Sequence, residues 1–239
     1  MIEKLIATIQ KRYAFSEEEA NLLRATMTET LEFKPGDIIV PEGEEISYSS
    51  LLVEGFSCRS KYTTEGSRQI MQFNIPGDFV DLHSYPLEVL DHSITALTDC
   101  RIVKLQHRDI TEIIDSNPRL GRIMWFATMV DASMHREWLV CLGARTGAMR
   151  VAHLFCEMFY RLQVVGLTQG TSYRFPITQA DLAQALGFTT IHVNRMLREL
   201  RDEGLATFRS KEVEIPDLKA LEERADFDPA YLYLEPRHQ

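Results

Sequence analysis

The 239 residues are 45% hydrophobic and 26% charged, the balance of a soluble chain with room for one large domain or two modest ones. No apolar run approaches the ~20 residues that span a bilayer, and Met1-Ile2-Glu3-Lys4 opens without the basic flank and apolar stretch of a secretory leader, so a cytoplasmic protein with no membrane partner is expected. A net charge of −9 argues against nucleic acid until its distribution is counted: residues 174–211 hold 6 basic and 4 acidic side chains, while 212–239 hold 3 and 8. Local charge governs phosphate contact, so the one basic stretch is where a nucleic-acid reader would lie.

Residues 1–30 place apolar and acidic positions at helical spacing, with Glu17, Glu18 and Glu19 in an early turn. From 31 to about 106 the pattern changes to short β-type runs, such as Ile38–Val40, Leu51–Val53, Gln69–Phe73 and Arg101–Leu105. Turn residues split them, among them Pro35-Gly36-Asp37, Glu54-Gly55 and Pro76-Gly77-Asp78. This predicts a compact antiparallel roll over 1–116. The four cysteines (Cys58, Cys100, Cys141, Cys156) lie far apart with no C-x-x-C pair, and read as buried reduced thiols. His83, His92 and His107 form no H-x-H pair, which speaks against a cupin-like metal enzyme; no metal or cofactor is expected.

A long helix is predicted from Asn117-Pro118, where Asn can cap and Pro suits the first helical position, to about Leu142. Met124, Ala127, Asp131, Met134, Trp138 and Cys141 recur at alternating three- and four-residue steps, the spacing of a coiled-coil seam. They are expected to pair two copies of the chain, so 117–144 reads as a dimerisation helix and Gly143–Gly147 as a hinge.

The stretch 177–200, ITQADLAQALGFTTIHVNRMLREL, carries the clearest motif. Thr178 and Asp181 make a capping-box start, Ala183 is small where two helices must cross, and Gly187 suits a turn needing positive φ. Thr189 can cap a second helix whose Val193, Met196, Leu197 and Leu200 face inward. This is a helix-turn-helix, completed by a hairpin with a basic tip, Arg209-Ser210-Lys211. Together they form a winged module over 145–215, with a tail of unassigned role at 216–239.

The outward face of the second helix would decide specificity toward double-stranded DNA. Arg195 is the first choice for a guanine edge, Asn194 for adenine, and Ile191 offers an apolar contact such as a thymine methyl. Thr189, Thr190, Arg198, Arg209 and Lys211 are expected on phosphate, and His192 borders the face.

In this order of parts, and above all in the 177–200 motif, the chain resembles the CRP/FNR family of bacterial transcription regulators. The resemblance implies an α+β protein with an effector-sensing, cyclic-nucleotide-binding-like roll, a homodimer on a palindromic operator, contact with RNA polymerase, activation more often than repression, and no enzymatic activity. Two departures matter. After the PGD turn at 76–78, Leu82 stands in place of the glutamate that holds the ribose of cyclic AMP, and His92 in place of the arginine that holds its phosphate; only Ser93 is kept. No cysteine precedes Cys58, which removes the oxygen sensors' iron–sulfur cluster. The roll thus keeps neither of these two effector chemistries, and the resemblance names no other small-molecule effector for it. Ile191 stands where many relatives carry a base-reading glutamate. A ligand-binding module acting through a protein partner is the alternative reading.

Overall fold

The computed structural model describes residues 1–235. Two short helices open the chain, α1 (Glu3–Arg12) and α2 (Glu17–Thr26), the second started by a reciprocal cap between Ser16 and Glu19. The roll follows as β1 (Thr30–Phe33), β2 (Ile38–Val40), β3 (Tyr48–Glu54), β4 (Ser57–Tyr62) and β5 (Arg68–Asn74), then a short α3 (Ser84–Leu87), β6 (Ser93–Ala96) and β7 (Cys100–Gln106). All its pairings are antiparallel, in two sheets ordered β1-β7-β3 and β2-β6-β4-β5. Between the sheets lie Val40, Leu52, Leu90, Ile94 and Ile102, all nearly inaccessible.

Helix α4 (His107–Ser116) leads into α5 (Pro118–Ala144), which starts as the sequence predicts: the Asn117 side chain accepts from the Leu120 amide and Pro118 opens the first turn. At 27 residues α5 is about 40 Å long. Only Arg145 and Thr146 separate it from α6 (Gly147–Val164). Then come β8 (Thr168–Gln169), β9 (Ser172–Arg174), α7 (Gln179–Leu186), α8 (Thr190–Asp202), β10 (Thr207–Arg209), β11 (Glu212–Glu214), α9 (Leu218–Ala225) and a 3-10 turn, Pro229–Leu232. A third antiparallel sheet, β10-β11-β9-β8, backs these helices.

The roll and the C-terminal module do not have separate cores. Phe56, Cys58, Ile70 and Phe73 of the roll join Trp138 of α5 and Phe155, Phe175 and Leu182 in one continuous apolar cluster. Phe73 meets Phe175 edge-on at 5.2 Å, an arrangement favoured by the ring quadrupoles.

The stripe expected to pair two copies is packed within the single chain. Met124, Met134, Trp138 and Cys141 are buried within the single chain, Ala127 packs toward α1 and α2, and Asp131 is ion-paired to Arg59. The stripe turns inward because α5 lies against its own roll on that side. The apolar side chains left exposed on α5 are shifted in register: Trp125 (67% exposed), Met129, Leu139 (70%) and Val140.

Candidate nucleic-acid interface

The helix-turn-helix is built by local rules. Thr178 Oγ1 accepts from the Asp181 amide while Asp181 accepts from the Thr178 amide, closing both ends of a capping box. Gly187 ends α7 in the left-handed region at φ +68°, which L side chains rarely adopt. Thr189 caps α8, accepting from the His192 amide at 3.4 Å. Arg150 of α6 locks the turn: it donates to the Leu186 carbonyl at 3.1 Å and lies over the Phe188 ring. Gly147 serves closeness rather than flexibility. A Cβ there would come within 2.3 Å of Met196 Cε, so glycine lets α6 start directly against α8.

Val193, Met196 and Leu200 of α8 are buried, and Leu197 is half-buried, which leaves the opposite face to solvent. Thr189, Thr190, Ile191, His192, Asn194, Arg195 and Arg198 are all exposed, Ile191 at 82%. An isoleucine that exposed gains nothing from its own fold. Asn194 donates to the Thr190 carbonyl at 3.0 Å, which the side chain would release to read a base. Among the described residues, Arg195, Arg198, Arg209 and Lys211 form no ion pair, so their charge is unneutralised.

The wing is the antiparallel pair β10 and β11, in register from Thr207 opposite Glu214 to Arg209 opposite Glu212. Ser210 (φ +51°) and Lys211 (φ +65°) make its two-residue turn with both residues left-handed, the geometry that matches strand twist in a tight hairpin. Asn194, Arg198, Arg201 and Arg209 line one open groove between α8 and the wing, together with Gln179 of α7. Gln179 and Arg201 were not anticipated. They lie outside the central face of α8, and only the folded wing brings them to the groove.

The sensor side is filled by the chain's own residues. Arg59 on β4 is 2% exposed; its Nε donates to the Val80 carbonyl at 2.9 Å and its guanidinium pairs with Asp131 of α5 at 2.6 Å. That pair holds Asp131 below the usual carboxylate range despite burial. Asp81, wholly buried, accepts from the Ser50 amide at 2.5 Å, and burial pushes its carboxyl up to about 7. Leu82 is packed into the apolar cluster with α1 and α5. His92 is buried against Asp91 at 2.9 Å, and the retained Ser93 accepts from the Glu42 amide. His83 sits 5.4 Å from His92, ring to ring, and burial pulls its imidazole down to about 4. A cavity of about 100 Å³ remains, lined among others by Arg59, Gln72, His83, Asp131 and Met134. That is well under the ~300–1,000 Å³ of typical small-molecule sites.

His107 hydrogen-bonds Ser84 at 3.2 Å, and among the described residues no cluster of three or more His, Cys, Asp or Glu could hold a metal ion. All four cysteines are free and buried, and burial raises every thiol, Cys58 to about 12 and Cys141 to about 11. No helix is long and apolar enough to cross a membrane among the described residues.

A capped helix-turn-helix with a cationic wing, carried on an antiparallel roll and a long helix, defines a DNA-binding regulator of transcription. Two family models match in that order: a cyclic nucleotide-binding domain over residues 30–117 and a Crp-like helix-turn-helix domain over 149–224. The chain belongs to the CRP/FNR family of transcription regulators. It is 23% identical to the transcriptional activator protein FnrL of Cereibacter sphaeroides, over 82% of this chain and 80% of that one. With the nitrogen fixation regulation protein FixK of Azorhizobium caulinodans it shares 26%, over 72% and 68%. The solved structure of FixK2 from Bradyrhizobium japonicum superposes with a TM-score of 0.74 at 22% identity, covering 82% of this chain and 96% of that one.

Proposed function

We propose that this protein is a homodimeric, sequence-specific transcription activator that reads a palindromic operator through α8 and works without cyclic AMP. The observation that carries this reading is the row Thr190, Ile191, Asn194, Arg195 and Arg198, exposed and beside a wing whose tip adds Arg209 and Lys211. Arg195 is assigned to a guanine edge and Asn194 to adenine, with Thr189, Arg198, Arg201, Arg209 and Lys211 on phosphate.

Pairing is assigned to the exposed apolar side chains of α5, Trp125, Met129, Leu139 and Val140, with half-buried Ala132 between them. Trp125, Met129, Ala132 and Leu139 follow one another at steps of four, three and seven, which keeps them on one face of the helix. Two copies joined there would present two α8 helices to two half-sites. Independence from cyclic AMP rests on Leu82, on His92, and on the interior already held by Arg59 and Asp131. Contact with RNA polymerase follows from the family and is part of the same reading.

The test is selection of genomic fragments by the purified protein across a salt series. A sequence-selective complex, weakening as salt rises, is expected, with two inverted half-sites in the recovered sequences. Absence of any selective complex would sink the reading and leave the roll as a module acting through a protein partner.

A further inference from the structure

After α9 the chain turns back toward the joint between α5 and α6, through Asp226 in the left-handed region. The matched Crp-like helix-turn-helix domain stops at 224, so residues 226–235 lie beyond what that domain requires. Their contacts converge on the joint. Phe227 stacks on Tyr160 and meets His153 edge-on, both on α6; Tyr231 lies flat against His153, with 16° between the rings. The Tyr231 hydroxyl donates to Oε2 of Glu157 at 2.9 Å, and Trp138 Nε1 of α5 donates to that same oxygen at 3.0 Å.

Glu157 is fully buried, and its other oxygen accepts from Arg161 at 3.2 Å. Arg161 in turn reaches the roll, at the Phe73 carbonyl (3.0 Å) and Asp78 (2.7 Å). On the far side, Arg12 of α1 donates to the carbonyls of Leu232 and Tyr233, at 3.0 and 3.1 Å. Arg145, in the two-residue joint, donates to the Asp226 carbonyl at 3.0 Å. One buried carboxylate thus collects donors from α5, α6 and this segment.

We propose that residues 226–235 form a strap that fixes the reader on the long helix, with Glu157 as the positioning residue on which it closes. A two-residue joint leaves a reader free to rotate unless other contacts hold it. In a dimer that rotation sets the distance between the two α8 helices, and hence the half-site spacing tolerated. Only this last consequence rests on the proposed DNA reading.

The test uses full-length Tyr231→Ala and Tyr231→Phe. The first loses the hydroxyl and the stacking on His153, the second only the hydroxyl. In DNA-free protein, trypsin cleavage after Arg145 is expected to rise about tenfold in Tyr231→Ala and about threefold in Tyr231→Phe, as local opening becomes easier. On operators whose half-sites are moved apart by one base pair, both variants should lose discrimination that the wild type shows, with Tyr231→Phe retaining more. Unchanged cleavage in both variants overturns the strap; Tyr231→Phe answers alone if Tyr231→Ala does not fold. Faster cleavage with unchanged spacing preference overturns the positioning role. If the wild type binds no operator, the proposed function fails while the cleavage result still decides the strap.

Discussion

Arg59 in the roll and Arg195 on α8 carry the same side chain to opposite ends. Arg59 is 2% exposed and commits its guanidinium to the Val80 carbonyl and Asp131. Arg195 is exposed, with no ion pair among the described residues and its donors turned to solvent. The neighbours follow in part: Ser93, Nδ1 of His92 and Oδ1 of Asp81 bond within the roll, while Nε2 of His92 and Oδ2 of Asp81 are buried without a hydrogen-bond partner. Thr190 and Ile191 project from the reader. A group already satisfied inside the fold has little left for a ligand, and one left unsatisfied at the surface is available to a partner.

The largest expected effect breaks the buried side of this contrast. Arg59→Ala strands Asp131 without its cation and should cost about 3–5 kcal/mol by denaturant unfolding; a loss under about 1 kcal/mol would show the pair to be dispensable. Next, Arg195→Ala should weaken operator binding by about 1–3 kcal/mol and relax preference at one base pair per half-site, with stability hardly moved. A binding-site selection with unchanged preference would remove Arg195 from base reading.

Lys211→Gly should act in two directions at once. Glycine relieves the left-handed strain at the wing tip, worth about 1 kcal/mol in melting stability, while the lost charge lowers the salt slope of DNA binding by about 1. Millimolar cyclic AMP should leave the melting temperature unmoved; a saturable shift would mean that the roll's interior opens after all.

How much of this was legible from the residues alone depends on the range of the interaction. The caps at Asn117, Thr178 and Thr189, the turn at Gly187 and the wing tip are local, and each was readable from spacing of a few residues. Arg59 with Asp131 was not, because the two meet across 72 positions, from a strand to a helix. Their signals were present, as a cation in mid-strand and an acid interrupting the α5 stripe. The stripe expected to pair two copies is the one that the chain's own roll covers. Helix α5 carries two apolar stripes, and periodicity alone cannot say which one its own roll will cover. Trp125 and Leu139 are told apart from Met124 and Trp138 only once the roll is in place.

Glu157 bears on modularity. Residues 145 and 146 invite a cut between sensor and reader, as if either half could be transplanted. A reader moved at that boundary would carry the carboxylate away from Trp138, and the segment at 232–233 away from Arg12. A buried acid with a missing donor is costly. Chimeras built on this reader should therefore import the partner positions on α1 and α5 as well, so the portable unit is discontinuous in sequence.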